Sequence, residues 1–170
     1  MKIKKRGIVV PDTHFPLQDD AAINCVVKAI EIIKPNVFVN LGDVGEWESV
    51  SAWKYKDKKL PPLEFQQPII EEDIRLVNEG LDIWDEVLKK VGCKEKYLLQ
   101  GNHDLWLDNF VTKYPYMSDY AFFKACKIKE RGYKYLNIIY LYKLVSLLSF
   151  MVPMQLRIMR KNIWKLMEKM

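Results

Sequence analysis

The sequence predicts an α/β fold with a parallel sheet at its core, and two observations carry that expectation. Short β-branched runs alternate with amphipathic stretches in the order strand, helix, strand, helix, strand, which calls for right-handed crossovers between parallel strands. Each strand run also stops at a compact polar cluster: Pro11-Asp12-Thr13-His14, then Leu41-Gly42-Asp43, then Gly101-Asn102-His103-Asp104. Ligands of open α/β sheets bind at the carboxyl ends of the strands, so three clusters far apart in sequence are expected to meet in space. The 170 residues suffice for one core and are too few for two ordinary domains.

Taken in order, residues 7–12 form an apolar run stopped by Pro11, the pattern of a strand buried on both faces. Residues 19–36 follow with acids at the start and Pro35 as the stop, and Ala22, Val26, Ala29, Ile30 and Ile33 fall at helical spacing. A second buried-strand pattern spans 36–43. The stretch 44–67, rich in aromatics, lysines and prolines, reads as a long excursion. Residues 69–92 carry Ile70, Ile74, Val77, Leu81, Trp84, Val87 and Leu88 along one helical face, with Gly92 as the C-terminal cap. Residues 94–104 give the third strand and its polar end.

The polar ends suit a metal. Asp12 and His14 stand two residues apart, so an extended backbone would point both to one side, and a carboxylate beside an imidazole suits a divalent transition metal. Gly42 lets the chain turn tightly before Asp43, and Asn102 offers a neutral oxygen donor. Asp104, next to His103, is placed to fix that ring's tautomer. Asp43 could bridge two ions roughly 3.5–4 Å apart, the spacing used for in-line displacement at phosphorus, with His103 protonating the leaving oxygen. Glu46 and Glu48 read as solvated acids. Trp47, Trp53 and Trp106 flank the clusters and fit either a substrate cleft or ordinary core packing.

With Asp-x-His after the first strand, Gly-Asp after the second and Gly-Asn-His-Asp after the third, residues 7–110 resemble the calcineurin-like metallophosphoesterases. The resemblance implies a β-sandwich flanked by helices and metal-dependent hydrolysis of a phosphomonoester or phosphodiester. It assigns Asp12, His14, Asp43 and Asn102 as metal ligands, with His103 and Asp104 catalytic. It also implies two divalent ions, with Mn, Fe, Zn and Ni all compatible, and a phosphate-ester substrate, nucleotides and nucleic acids among the candidates. The family pattern continues with further histidines, whereas this chain has none after His103. Open ligand shells imply weak or lost activity, and the rival reading is a non-catalytic fragment or membrane-associated module on the same scaffold.

Composition changes near Tyr135, which divides a phosphoesterase portion, 1–135, from an atypical tail, 136–170. From Leu136 onward there is no Gly, Ala, Asp, Thr or His, and five of the seven methionines fall there. Six Lys or Arg against one acid in that stretch account for the whole net charge of +5, so the first 135 residues are neutral and their charge names no partner. The apolar run 135–154 with its basic flank resembles a membrane span, weakened by Lys143 and Asn137. An out-of-frame read of A/T-rich coding sequence accounts better for the composition, and no membrane association is expected. Three cysteines at unrelated spacings, read as buried apolar side chains, and an amino-terminal apolar run of only four residues favour a reducing, cytoplasmic setting. Oligomeric state is left open.

Overall fold

The structure is a computed structural model that describes residues 5–136. The expected tail, apart from Leu136, lies outside the described residues. Strands β1 (Gly7–Val10), β2 (Val37–Asn40), β3 (Glu95–Leu99) and β4 (Tyr133–Leu136) form one sheet in the order β1-β2-β3-β4. β1 pairs parallel with β2 from Gly7↔Val37 to Val10↔Asn40, and β2 with β3 from Val37↔Glu95 to Asn40↔Leu98. The α/β architecture is the expected one, and the described residues form a single sheet flanked by helices, with no second sheet of the expected sandwich among them. Matched registers bring all three polar clusters to one edge.

Helices α1 (Asp20–Ile33) and α2 (Leu63–Lys90) make the two crossovers. Because successive strands are neighbours, right-handed connections put both helices on the same face. Asp19 caps α1 by accepting from the N–H groups of Ala21 (2.8 Å) and Ala22 (3.1 Å). Between helices and sheet lie Phe38, Ile30, Trp84, Leu88 and Leu98, all fully buried, with the Phe38 and Trp84 rings 6.0 Å apart. α2 ends in a Schellman motif, Cys93 N–H to Leu88 O and Gly92 N–H to Lys89 O. α3 (Asn102–Lys113) and α4 (Phe122–Ala125) follow, separated by a 3-10 segment, Pro115–Tyr120.

Several details differ from the sequence reading. Among the described residues β1 lies at the edge of the sheet and Val9 is 48% exposed, so it is not buried on both faces. α1 buries Ile23 and Ile30, while Ala22 and Ile33 face outward. Two stripes of similar spacing exist in that segment, and the branched side chains bury more area than alanine. α2 begins at Leu63, absorbing the end of the excursion and Pro68. Only Cys126 is buried; Cys25 is exposed and Cys93 half-buried, and all three are free. Among the described residues no helix is long and apolar enough to cross a membrane.

Trp84 should dominate the stability of this layer. Trp84→Ala is expected to cost about 3–5 kcal/mol in urea unfolding. Trp84→Phe should cost clearly less, because the buried indole N–H has no partner to lose.

Candidate metal centre

Beyond the sheet the β1 and β2 segments stay joined. His14 N–H donates to Asp43 O (3.0 Å), Phe15 N–H to Val44 O (2.8 Å) and Glu46 N–H to Phe15 O (3.0 Å). The Thr13 hydroxyl adds a bond to Val44 O (3.2 Å), and the buried Phe15 ring anchors the first loop. Asp12 (φ 38°), His14 (φ 47°) and Asp43 (φ 48°) all take left-handed backbone, which non-glycine residues seldom adopt and which gathers at functional sites. The post-β2 and post-β3 loops touch backbone to backbone. A Cβ on Gly42 would lie 2.3 Å from Gly101 N, and one on Gly101 would lie 2.1 Å from both Asp43 N and Oδ1. Only glycine allows so close an approach at these two positions.

This contact delivers the side chains. Asp43 Oδ1 accepts from His103 N–H (2.8 Å), and the Asn102 amide, oriented to donate to Asp43 Oδ2 (3.2 Å), turns its oxygen to His103 N–H (3.3 Å). His103 Nδ1 bonds to Glu46 O (3.1 Å), and His14 Nδ1 to Glu46 Oε2 (2.7 Å). The two imidazoles meet edge to face with centroids 4.7 Å apart, and His14, Glu46 and His103 offer ligand atoms within 4.8 Å of one another. His14, Asp43, Asn102 and His103 are thus brought together. Asp12 sits exposed on the turn that carries His14, with no side-chain hydrogen bond among the described residues. The strand ends at Val10, so the extended-backbone reason for pairing Asp12 with His14 does not apply.

Asp104 is corrected from the expected partner of the His103 ring. The two are consecutive in the first turn of α3, where neighbouring side chains diverge rather than face each other. The Asp104 carboxylate is fully buried and accepts from Val44 N–H (3.1 Å), Trp47 Nε1–H (3.0 Å) and Gly101 N–H (3.0 Å), with Gly45 N–H at 3.4 Å. Burial pushes its pKa from 3.8 up to about 6, against the pull of those donors. Glu46 is corrected in the other direction, from a solvated acid to the group that touches both histidines. Its position three residues after Asp43 was the available signal, but nothing local said which way it would point. Trp47 is core, Trp53 is 73% exposed, and Trp106 stacks on His103 with centroids 3.9 Å apart.

The order of the clusters, their strand-end placement and their convergence narrow the family. The model of the calcineurin-like phosphoesterases matches residues 6–164. The chain belongs to that family. No curated protein and no solved structure matches it. Calcineurin-like phosphoesterases use divalent metals, and the donor set suits one: imidazole nitrogens and carboxylates converge, beside the Asn102 amide, where strained backbone and two glycines hold them. A cavity of about 520 Å³ opens elsewhere, beside Lys96 at the amino end of β3. Its Lys96 and Arg131 are already paired with Asp85 (2.7 and 2.6 Å), so their charge is spent within the fold.

The raised Asp104 pKa has a pH signature. Between about pH 4 and 6 the folded carboxyl holds a proton that the unfolded one releases, so its contribution is full at low pH and is lost as pH rises through 6. In the metal-free protein, the unfolding free energy of the wild type should fall by about 2 kcal/mol relative to Asp104→Asn between pH 4 and pH 7. A difference constant with pH would refute it.

Proposed function

We propose that this chain hydrolyses a phosphomonoester or phosphodiester at the junction of the loops after β1, β2 and β3. The observation that carries the reading is the Asp43–Asn102–His103 hydrogen-bonded set lying against His14. His14, Asp43 and Asn102, with Asp12 from the turn that carries His14, would hold two divalent ions, Mn, Fe, Zn or Ni. When bound, such ions polarise the phosphoryl oxygens and acidify water for attack. His103, whose Nδ1–H is held by Glu46 O, turns Nε2 outward, and as the imidazolium it would deliver a proton from Nε2 to the leaving oxygen. Asp104 acts as a positioning residue, holding the backbone that carries Asp43 against the start of α3.

The excursion before α2 would shape substrate choice. Exposed Trp53 and Lys56, Lys58 and Lys59 would offer a stacking ring and positive charge to a nucleotide or nucleic-acid phosphate, Lys54 being paired with Glu48 (2.7 Å). With two histidines in the whole chain, the ligand shells depend on carboxylates, an amide and water, so modest metal affinity and turnover are expected.

Hydrolysis of bis-p-nitrophenyl phosphate with added Mn²⁺ tests the reading. Measurable turnover should fall on the order of 100-fold or more in both Asp43→Asn and His103→Ala. A folded chain with no turnover, or one indifferent to both substitutions, would leave a non-catalytic scaffold instead.

A further inference from the structure

We propose that the Glu46 carboxylate positions His14 by accepting a hydrogen bond from its Nδ1–H, which leaves Nε2 as the bare donor atom of the ring. The inference deepens the phosphoesterase reading, on which it rests for the role of His14 as a ligand.

Phe15 and Gly45 form a parallel bridge, and the bonds His14 N–H to Asp43 O and Glu46 N–H to Phe15 O flank it. His14 and Glu46 therefore start from neighbouring points on two joined segments, and their side chains meet at 2.7 Å. Both are only about a quarter exposed, at 29% and 27%, so water competes weakly for the contact.

Chemistry fixes the direction of the bond. An ionised carboxylate only accepts, and a neutral imidazole has one donor and one acceptor nitrogen, so Nδ1 carries the hydrogen and Nε2 carries the lone pair. This is the arrangement by which a carboxylate orients a metal-binding histidine and raises its basicity. Glu46 treats His103 differently. Its carboxylate oxygen is 3.7 Å from His103 Nδ1, beyond a hydrogen bond, and its main-chain oxygen takes that nitrogen at 3.1 Å. One residue thus sets both rings, the first by side chain and the second by backbone. Only the first is lost when the side chain is removed.

The two histidines of this chain make the test clean. Nitrogen-15 NMR of the full metal-free chain, followed to the pH above which the ring signals no longer change, should show both rings with the proton on Nδ1. Glu46→Ala should move the His14 proton to Nε2 and leave His103 unchanged, which also reports an intact fold. Glu46→Gln, whose amide oxygen still accepts, should restore the Nδ1–H form of His14. A wild-type His14 protonated on Nε2, or a His14 tautomer unaltered by Glu46→Ala, would overturn the proposal. Calorimetric titration with Co²⁺ alone is the second arm. Affinity should drop about 10–100-fold in Glu46→Ala and recover in part in Glu46→Gln. A tautomer that switches without any change in Co²⁺ affinity would support the Glu46–His14 pairing and remove His14 from the ligand set, a failure of the phosphoesterase assignment alone.

Discussion

The buried carboxylate of Asp104 is the fastening on which the site depends. A charged group taken out of water is costly, and it is retained because N–H groups from the loop after β2, the indole of Trp47 and the start of α3 all converge on it. At the N3 position of α3 it also satisfies Gly101 N–H, one of the donors a helix start leaves free. Satisfying these donors with one acceptor draws the two loops together until Gly42 and Gly101 are in backbone contact. Asp43 and His103 then fall within hydrogen-bonding distance although sixty residues separate them.

The loop carrying Glu46 is held at its other end by α2. Ser49 donates from both its hydroxyl (2.5 Å) and its N–H (3.3 Å) to Asp73, and Gln66 donates to Ser49 O (2.8 Å). Burial pushes the Asp73 carboxyl upward while the Ser49 bonds pull it down, the same opposition seen at Asp104. Residues 44–50 are thereby fixed between a sheet edge and a long helix, and Glu46 lies in the middle of that span. Such support suits a side chain that must hold an imidazole in one orientation, since a site is only as well defined as the groups behind it.

Charge in the described residues is arranged locally. Arg131 bonds to Asp82 and Asp85, and Lys96 shares Asp85, closing β3 and the turn before β4 over α2. These groups lie at the amino end of β3, away from the cluster of histidines at the carboxyl edge. The two edges of the sheet are thus divided between an internally neutralised ion network and a set of donors left able to take a cation.

The sequence by itself determined the α/β order, the parallel sheet and the positions of three polar strand ends, because strand length, helical periodicity and Gly and Pro punctuation are local properties. α2 was legible in its buried stripe, Ile70, Val77, Leu81, Trp84, Val87 and Leu88 falling where the spacing put them, though Ile74 is only half-buried and the helix starts earlier, at Leu63. α1 was legible as a helix but not in its rotation, and β1 as a strand but not as an edge, since burial depends on what packs alongside. Of the site, His14, Asp43, Asn102 and His103 were named from local pattern and are brought together. What only the tertiary structure decided was the pairing of the acids. Adjacency suggested that Asp104 serves His103, yet successive side chains on a helix diverge, and Asp104 turns into the core. Glu46, apparently one acid among several in a loop, meets His14 across thirty-two residues because two segments continue their strand pairing past the sheet. Which nitrogen of a histidine carries its proton is set by the group opposite it in space, and no local sequence pattern encodes that neighbour.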